Sequence, residues 1–152
     1  MGAGCAPQRS PLCAGIEHRH LAKLQICDVM ETIADSLPRS VSRSACLWVA
    51  SALLPALREA QSYEETMVFP AFAREPGRLD SVRRLRAEHV EDAALAEELT
   101  EALLSIGHGA DIENPEALGY MLRTFFETMR RHIAFEREHV LPLVDALDGP
   151  AD

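Results

Sequence analysis

Apolar residues along the chain recur at three- and four-residue steps. No window alternates cleanly between apolar and polar positions, so strands are not expected. Ala, Leu, Glu and Arg, which favour helix, dominate over Val and Ile. Breakers divide the pattern into four helices. The first is expected from Leu12 to Leu37, stopped by Pro38, and the second from Val41 to Arg74, with a kink at Pro55 and an end at Glu75-Pro76-Gly77. Asp80 or Ser81 caps the third, which runs to Ile106 and is terminated by Gly107 and Gly109. Asn114 caps the fourth, with Pro115 at its first position, and it continues to Leu147. Four long amphipathic helices joined by short connections predict an all-α fold, an antiparallel up-down four-helix bundle over residues 12–148. A flexible segment, 1–11, is expected before it and a tail, 149–152, after it.

The second half echoes the first. Glu17-His18 returns as Glu88-His89, 71 residues on, and Glu64 with Pro70 returns as Glu136 with Pro142, 72 residues on. Two ordered matches at nearly one offset suggest two helix pairs related by a pseudo-twofold axis.

Placing each position at ~100° per residue puts charged and polar side chains among the apolar ones. On the fourth helix Leu118, Leu122, Phe125, Met129, Val140, Leu143 and Leu147 lie ~20–80° from His132, with Glu136 in their midst. On the second, Leu53, Leu57, Val68 and Ala71 lie within ~40° of Glu64. On the third, Val82, Leu85, Ala96 and Leu103 lie within ~40° of His89. On the first, Ala22, Val29 and Ile33 lie ~20–60° from His18, which leaves His20 ~160° from that core direction. His18, Glu64, His89, His132 and Glu136 are therefore expected to point inward from all four helices. An unpaired buried carboxylate costs several kcal/mol or becomes neutral. A divalent metal supplies the missing positive charge most economically, so these five are the candidate ligands. A lone core histidine is more often hydrogen-bonded to a carbonyl; here five such residues at corresponding depths in two matched halves favour the metal. His139 is a reserve candidate, and His108 falls in a Gly-rich loop.

Composition narrows the function. At 152 residues with 47% hydrophobic and 26% charged content, the chain has the size and balance of one globular domain. A net charge of -9 disfavours nucleic acid or an anionic membrane as partner. No apolar run nears the ~18 residues of a membrane span, and the N-terminus lacks a signal peptide's apolar block, so the expected compartment is the cytosol. Cys5, Cys13, Cys27 and Cys46 form no Cys-x-x-Cys pair and read as free thiols rather than a zinc site.

Glu17-His18-Arg19, Glu64-Glu65-Thr-Met-Val-Phe-Pro70, Glu88-His89 and His132-Ile-Ala-Phe-Glu136 together resemble the motifs of the hemerythrin-like, or HHE cation-binding, family over Leu12 to Leu147. The resemblance implies a non-heme di-iron centre, with manganese or zinc as other metals, and the binding or sensing of dioxygen or nitric oxide, or iron handling. It further implies Glu64 and Glu136 bridging two irons, with His18, His89 and His132 as terminal ligands. One position departs from the pattern: Ala60 stands four residues before Glu64, where the family has histidine. Ala93, one turn after His89, is likewise apolar where some members carry a second histidine. One metal is then weakened or absent, or water, Glu65 or Gln61 completes the shell. Beyond these groups no acid-base or nucleophilic constellation is visible, so binding rather than catalysis is the expectation. A homodimer or a separate protein partner is left open. Two rivals stand beside this reading. One is a single-metal or metal-free helical interaction module derived from the family. The other is a ferritin-like di-iron oxidase, suggested by Glu17-x-x-His20 and Glu136-x-x-His139 but disfavoured because the first pair is expected to face outward.

Overall fold

The computed structural model describes residues 9–148. Cys5, most of the expected N-terminal segment and the tail 149–152 lie outside the described residues. Four helical rods make up the rest, and no strand occurs among the described residues. The first rod is α1 (Pro11–Ser36). The second joins α2 (Arg43–Tyr63), a π-helical turn π1 (Glu64–Val68) and α3 (Phe69–Phe72). The third is α4 (Leu79–Gly107), and the fourth joins α5 (Pro115–Phe135), a second π-helical turn π2 (Glu136–Val140) and α6 (Leu141–Asp148). α1 packs against α2 and α5, and α4 against α2 and, more lightly, α5. Consecutive rods are thus neighbours, which is the expected up-down bundle.

The rod ends follow their local chemistry. Ser10, Ser42 and Asn114 each accept a hydrogen bond from the backbone N–H three residues on, and Pro11 and Pro115 sit where a missing N–H costs nothing. The third rod differs from expectation: it starts at Leu79 after Arg78, with no side-chain cap from Asp80 or Ser81. Gly107 closes that rod against Leu47, where a Cβ would lie 2.5 Å from Cδ2, and Gly109 turns the chain at φ 106°. Pro55 stays within α2 on its exposed face, so the carbonyl left without a partner faces water.

The two π-turns are the main departure from the expected helices. In each, the N–H of the residue before a proline reaches back five residues to a glutamate carbonyl: Phe69 to Glu64, and Leu141 to Glu136. The wider turn inserts one extra residue, which rotates the following face by roughly one position. Phe69, Phe72, Leu141 and Val144 are consequently buried, whereas Ala71 and Leu143 are only partly covered and Leu147 is exposed. π1 and π2 begin 72 residues apart, at Glu64 and Glu136, which carries the repeat into the backbone itself.

α1 and α4 follow a strict three-four stripe. On α1 it reads Cys13, Ile16, His20, Lys23, Cys27, Met30 and Ala34. On α4 it reads Val82, Leu85, His89, Asp92, Ala96, Leu99 and Leu103, each 69 residues after its counterpart. The apolar members form two clusters. A large one fills the bundle from Ile26 to Ile133, and a smaller one joins Cys13, Ile16, Val68, Phe69, Phe72, Val82, Val140, Leu141 and Val144 at one end. Cys13, Cys27 and Cys46 are free and buried, with burial raising each thiol's pKa. Between the clusters lies a layer of polar groups.

Candidate metal centre

Burying a polar layer between two apolar clusters is costly unless its groups satisfy one another or an ion. The layer consists of His20 and Lys23 from α1, Glu64 from π1, His89 from α4 and Glu136 from π2, all buried. Ligand atoms of His20, Glu64 and Glu136 lie within 4.8 Å of one another. His20 Nε2 is 2.5 Å from Glu136 Oε2, while its Nδ1, equally buried, has no hydrogen-bond partner among the described residues. Burial, assisted by the charge of Lys23, lowers the His20 pKa to about 4, so the ring is neutral. Burial and the adjacent Glu64 carboxylate raise the Glu136 pKa to about 8. With His20 neutral and Glu136 protonated at neutral pH, the two groups share one hydrogen bond between Nε2 and Oε2.

Glu64 is held in the opposite state. Burial pushes its carboxyl upward, but the hydrogen bond from His89 and the Lys23 ammonium outweigh burial and keep it ionised. His89 Nε2 donates to Glu64 Oε2 at 2.9 Å, and its Nδ1 to Glu65 Oε1 at 3.0 Å. These two carboxylates offset the burial that would otherwise lower the His89 pKa, and it ends up raised. Phe69 stacks on the ring at 5.4 Å, and Gln61 Nε2 donates to the His89 carbonyl at 2.9 Å. Lys23 Nζ lies 3.6 Å from Glu64 Oε1.

The expected ligands do not all converge. Glu64, His89 and Glu136 are buried in the layer, on the faces where the helical wheel places them. His18 is exposed, and His20, expected to face outward, is 0% exposed. The reason is that the α1 stripe is set by Cys13, Ile16, Cys27 and Met30, two positions out of phase with His18, whereas Ala22 is exposed. His132 sits at the rim, 26% exposed, with Nε2 3.2 Å from Glu88 Oε2 and Nδ1 3.3 Å from Asp92 Oδ2. The Asp92 hydrogen bond and the nearby acids raise its pKa against burial. Among the reserve candidates, Glu65 and Gln61 hold His89, and His139 is exposed beside Phe135. Neither Glu-x-x-His pair delivers both members to the layer, since Glu17 and His139 stay outside it. Lys23 is the buried group that the sequence reading did not single out; its place in the three-four stripe was the available signal.

A neutral imidazole and two glutamates at coordination spacing, with an orphaned buried ring nitrogen beside them, suit one divalent cation. Ala60, 1% exposed and one turn before Glu64, offers no donor. A cleft of about 300 Å³ between α4 and the fourth rod is lined by His89, His132, Phe135 and Glu136 and reaches the layer from outside.

A four-helix bundle that buries histidine and glutamate donors across its middle defines a metal-binding bundle. The protein belongs to the hemerythrin family: residues 14–144 match the model of the hemerythrin HHE cation binding domain. Searches of curated proteins and of solved structures returned no match. No helix among the described residues is long and apolar enough to cross a membrane.

Proposed function

We propose that the protein binds non-heme iron in its polar layer and presents it to a small diatomic ligand, dioxygen or nitric oxide. The observation that carries this reading is the buried His20, Glu64 and Glu136 triad, with donor atoms within 4.8 Å of one another. Iron bound there would supply redox-dependent affinity for such ligands. His20 contributes a neutral nitrogen, Glu64 an ionised oxygen, and Glu136 a second oxygen once its proton is displaced. The cleft beside His132 and Phe135 gives a diatomic molecule a route inward, while the apolar clusters on either side keep bulk water away.

A second reading has one observation in its favour. Glu64 pairs with Lys23 and His89, and Glu136 with His20, so the layer satisfies much of its own charge as a metal-free helical module. Anaerobic loading with ferrous iron, removal of free metal and mass-spectrometric metal analysis separate the two. Retained iron, with a new visible absorption on adding nitric oxide, supports the iron reading. A folded chain that retains no iron, manganese or zinc refutes it.

A further inference from the structure

The two halves of the bundle are matched in register but not in charge. The stripes of α1 and α4 pair His20 with His89 and Lys23 with Asp92. The second and fourth rods pair Glu64 with Glu136 and Ala60 with His132. In one half, then, a histidine on the fourth rod is held by an aspartate on α4, His132 Nδ1 to Asp92 Oδ2 at 3.3 Å. In the other half both positions differ: Ala60 stands where the matching half has histidine, and Lys23 where it has aspartate, with the lysine ammonium turned inward to within 3.6 Å of Glu64. Lysine is almost never this buried without a partner that requires its charge.

We infer that the Lys23 ammonium stands in for one cation of a two-cation layer, so that the centre accepts a single divalent metal ion at His20, Glu64 and Glu136. The inference rests on the metal-binding reading above. Charge balance decides between one ion and two. Three carboxylates serve the layer: Glu64, Glu136 and, through His89, Glu65. One divalent ion, the Lys23 ammonium and His89, which donates from both ring nitrogens, exceed these three by one positive charge. A second divalent ion would raise that excess to three between two apolar clusters, a state that burial opposes strongly. Geometry agrees with charge. The Glu64 oxygen facing Lys23 is engaged by an ammonium, and the residue one turn earlier, Ala60, has no ligand atom to offer a second ion.

The test is iron per chain after saturating anaerobic loading with ferrous ion, on four proteins. The wild type is expected to hold one iron, Ala60→His one, Lys23→Met one, and the Lys23→Met/Ala60→His double variant two, a doubling that needs both changes. Two irons in the wild type or in Ala60→His would overturn the role of Lys23 while leaving the metal reading intact. A folded double variant that stays at one would also overturn it. No iron in the wild type would overturn both this inference and the metal reading. Because Ala60 is tightly packed, Ala60→His risks misfolding, so a second measurement needs no substitution. Side-chain NMR of Lys23, the one lysine in the sequence, should show its ammonium protected from solvent exchange in the wild type loaded with zinc. A Lys23 ammonium that exchanges freely would refute the substitution of charge for metal.

Discussion

Glu64 and Glu136 occupy equivalent places in the repeat, yet their replacement by glutamine should have very unequal effects on the metal-free fold. Glu64 is ionised, and it is the carboxylate within reach of the buried Lys23 and the acceptor for His89 Nε2. Glu64→Gln leaves the ammonium buried without its counter-charge, a loss of about 3–5 kcal/mol. For a domain of this length each kcal/mol lowers the melting temperature by roughly 2–4 °C, so a drop on the order of 10 °C is expected. Glu136 is already neutral at pH 7, its pKa raised to about 8 by burial and by the Glu64 charge. Glutamine copies the shape of a protonated glutamate, and its amide N–H can donate to His20 Nε2 in the same place, so Glu136→Gln should cost less than about 1 kcal/mol. Melting followed by circular dichroism at 222 nm, at pH 7 in chelator, reads both. Equal losses, or a larger loss for Glu136→Gln, would refute the assignment of charge states in the layer. With iron present the contrast should disappear, because each variant removes a charged oxygen that the cation needs.

The pH dependence of the metal-free protein follows from the same states. A Glu136 pKa raised to about 8 gives stability that is complete below its unfolded value of 4.5 and lost as pH rises through 8. The raised His89 and His132 pKa values add to that loss above 6.5. His20, lowered to about 4, works the other way: its contribution is present above 6.5 and lost as pH falls through 4. Melting in chelator should therefore give a lower midpoint at pH 8.5 than at pH 6.5, and Glu136→Gln should flatten the difference; a midpoint that rises with pH would contradict the shifts. On α1, His20→Ala should weaken iron binding by on the order of tenfold or more, whereas His18→Ala, on the exposed face, should leave it unchanged. Equilibrium competition with a chromophoric chelator checks both, and the reverse ranking would restore His18 as the ligand.

Why helix periodicity located three of the four rods' buried polar groups but misjudged α1 has a physical explanation. On α2, α4 and α5 the apolar markers were large and numerous: Leu53 and Leu57, Val82 and Leu103, Leu122 and Phe125. On α1 the stripe holds one large aliphatic, Ile16, among small or soft residues, Cys13, Cys27, Met30 and Ala34, with two polar positions, His20 and Lys23, at its centre. A wheel weighted by Val29 and Ile33 turns toward His18, and the Glu-His dipeptide reinforces the error by matching Glu88-His89 one residue out of step with the glutamate repeat. The π-turns were hidden for a different reason, since a wheel assumes a constant turn and each π-turn adds a residue immediately before a proline. The glutamate that opens each π-turn lies upstream of the added residue, which is why Glu64 and Glu136 were placed correctly while Leu143 and Leu147 were not.

These two kinds of error bear on how the site is built. The second and fourth rods repeat glutamate, π-turn and proline with one spacing, so they form the constant frame of the layer. The variation sits in the stripe positions of the other two rods and in the residue one turn before each glutamate, where Lys23 and Ala60 face Asp92 and His132 across the repeat. A frame that fixes two carboxylates and a variable set that fixes the remaining charge let the number of cations change without refolding the bundle. The paired change Lys23→Met/Ala60→His should accordingly alter metal stoichiometry, whereas Glu64→Gln should lower the stability of the metal-free protein.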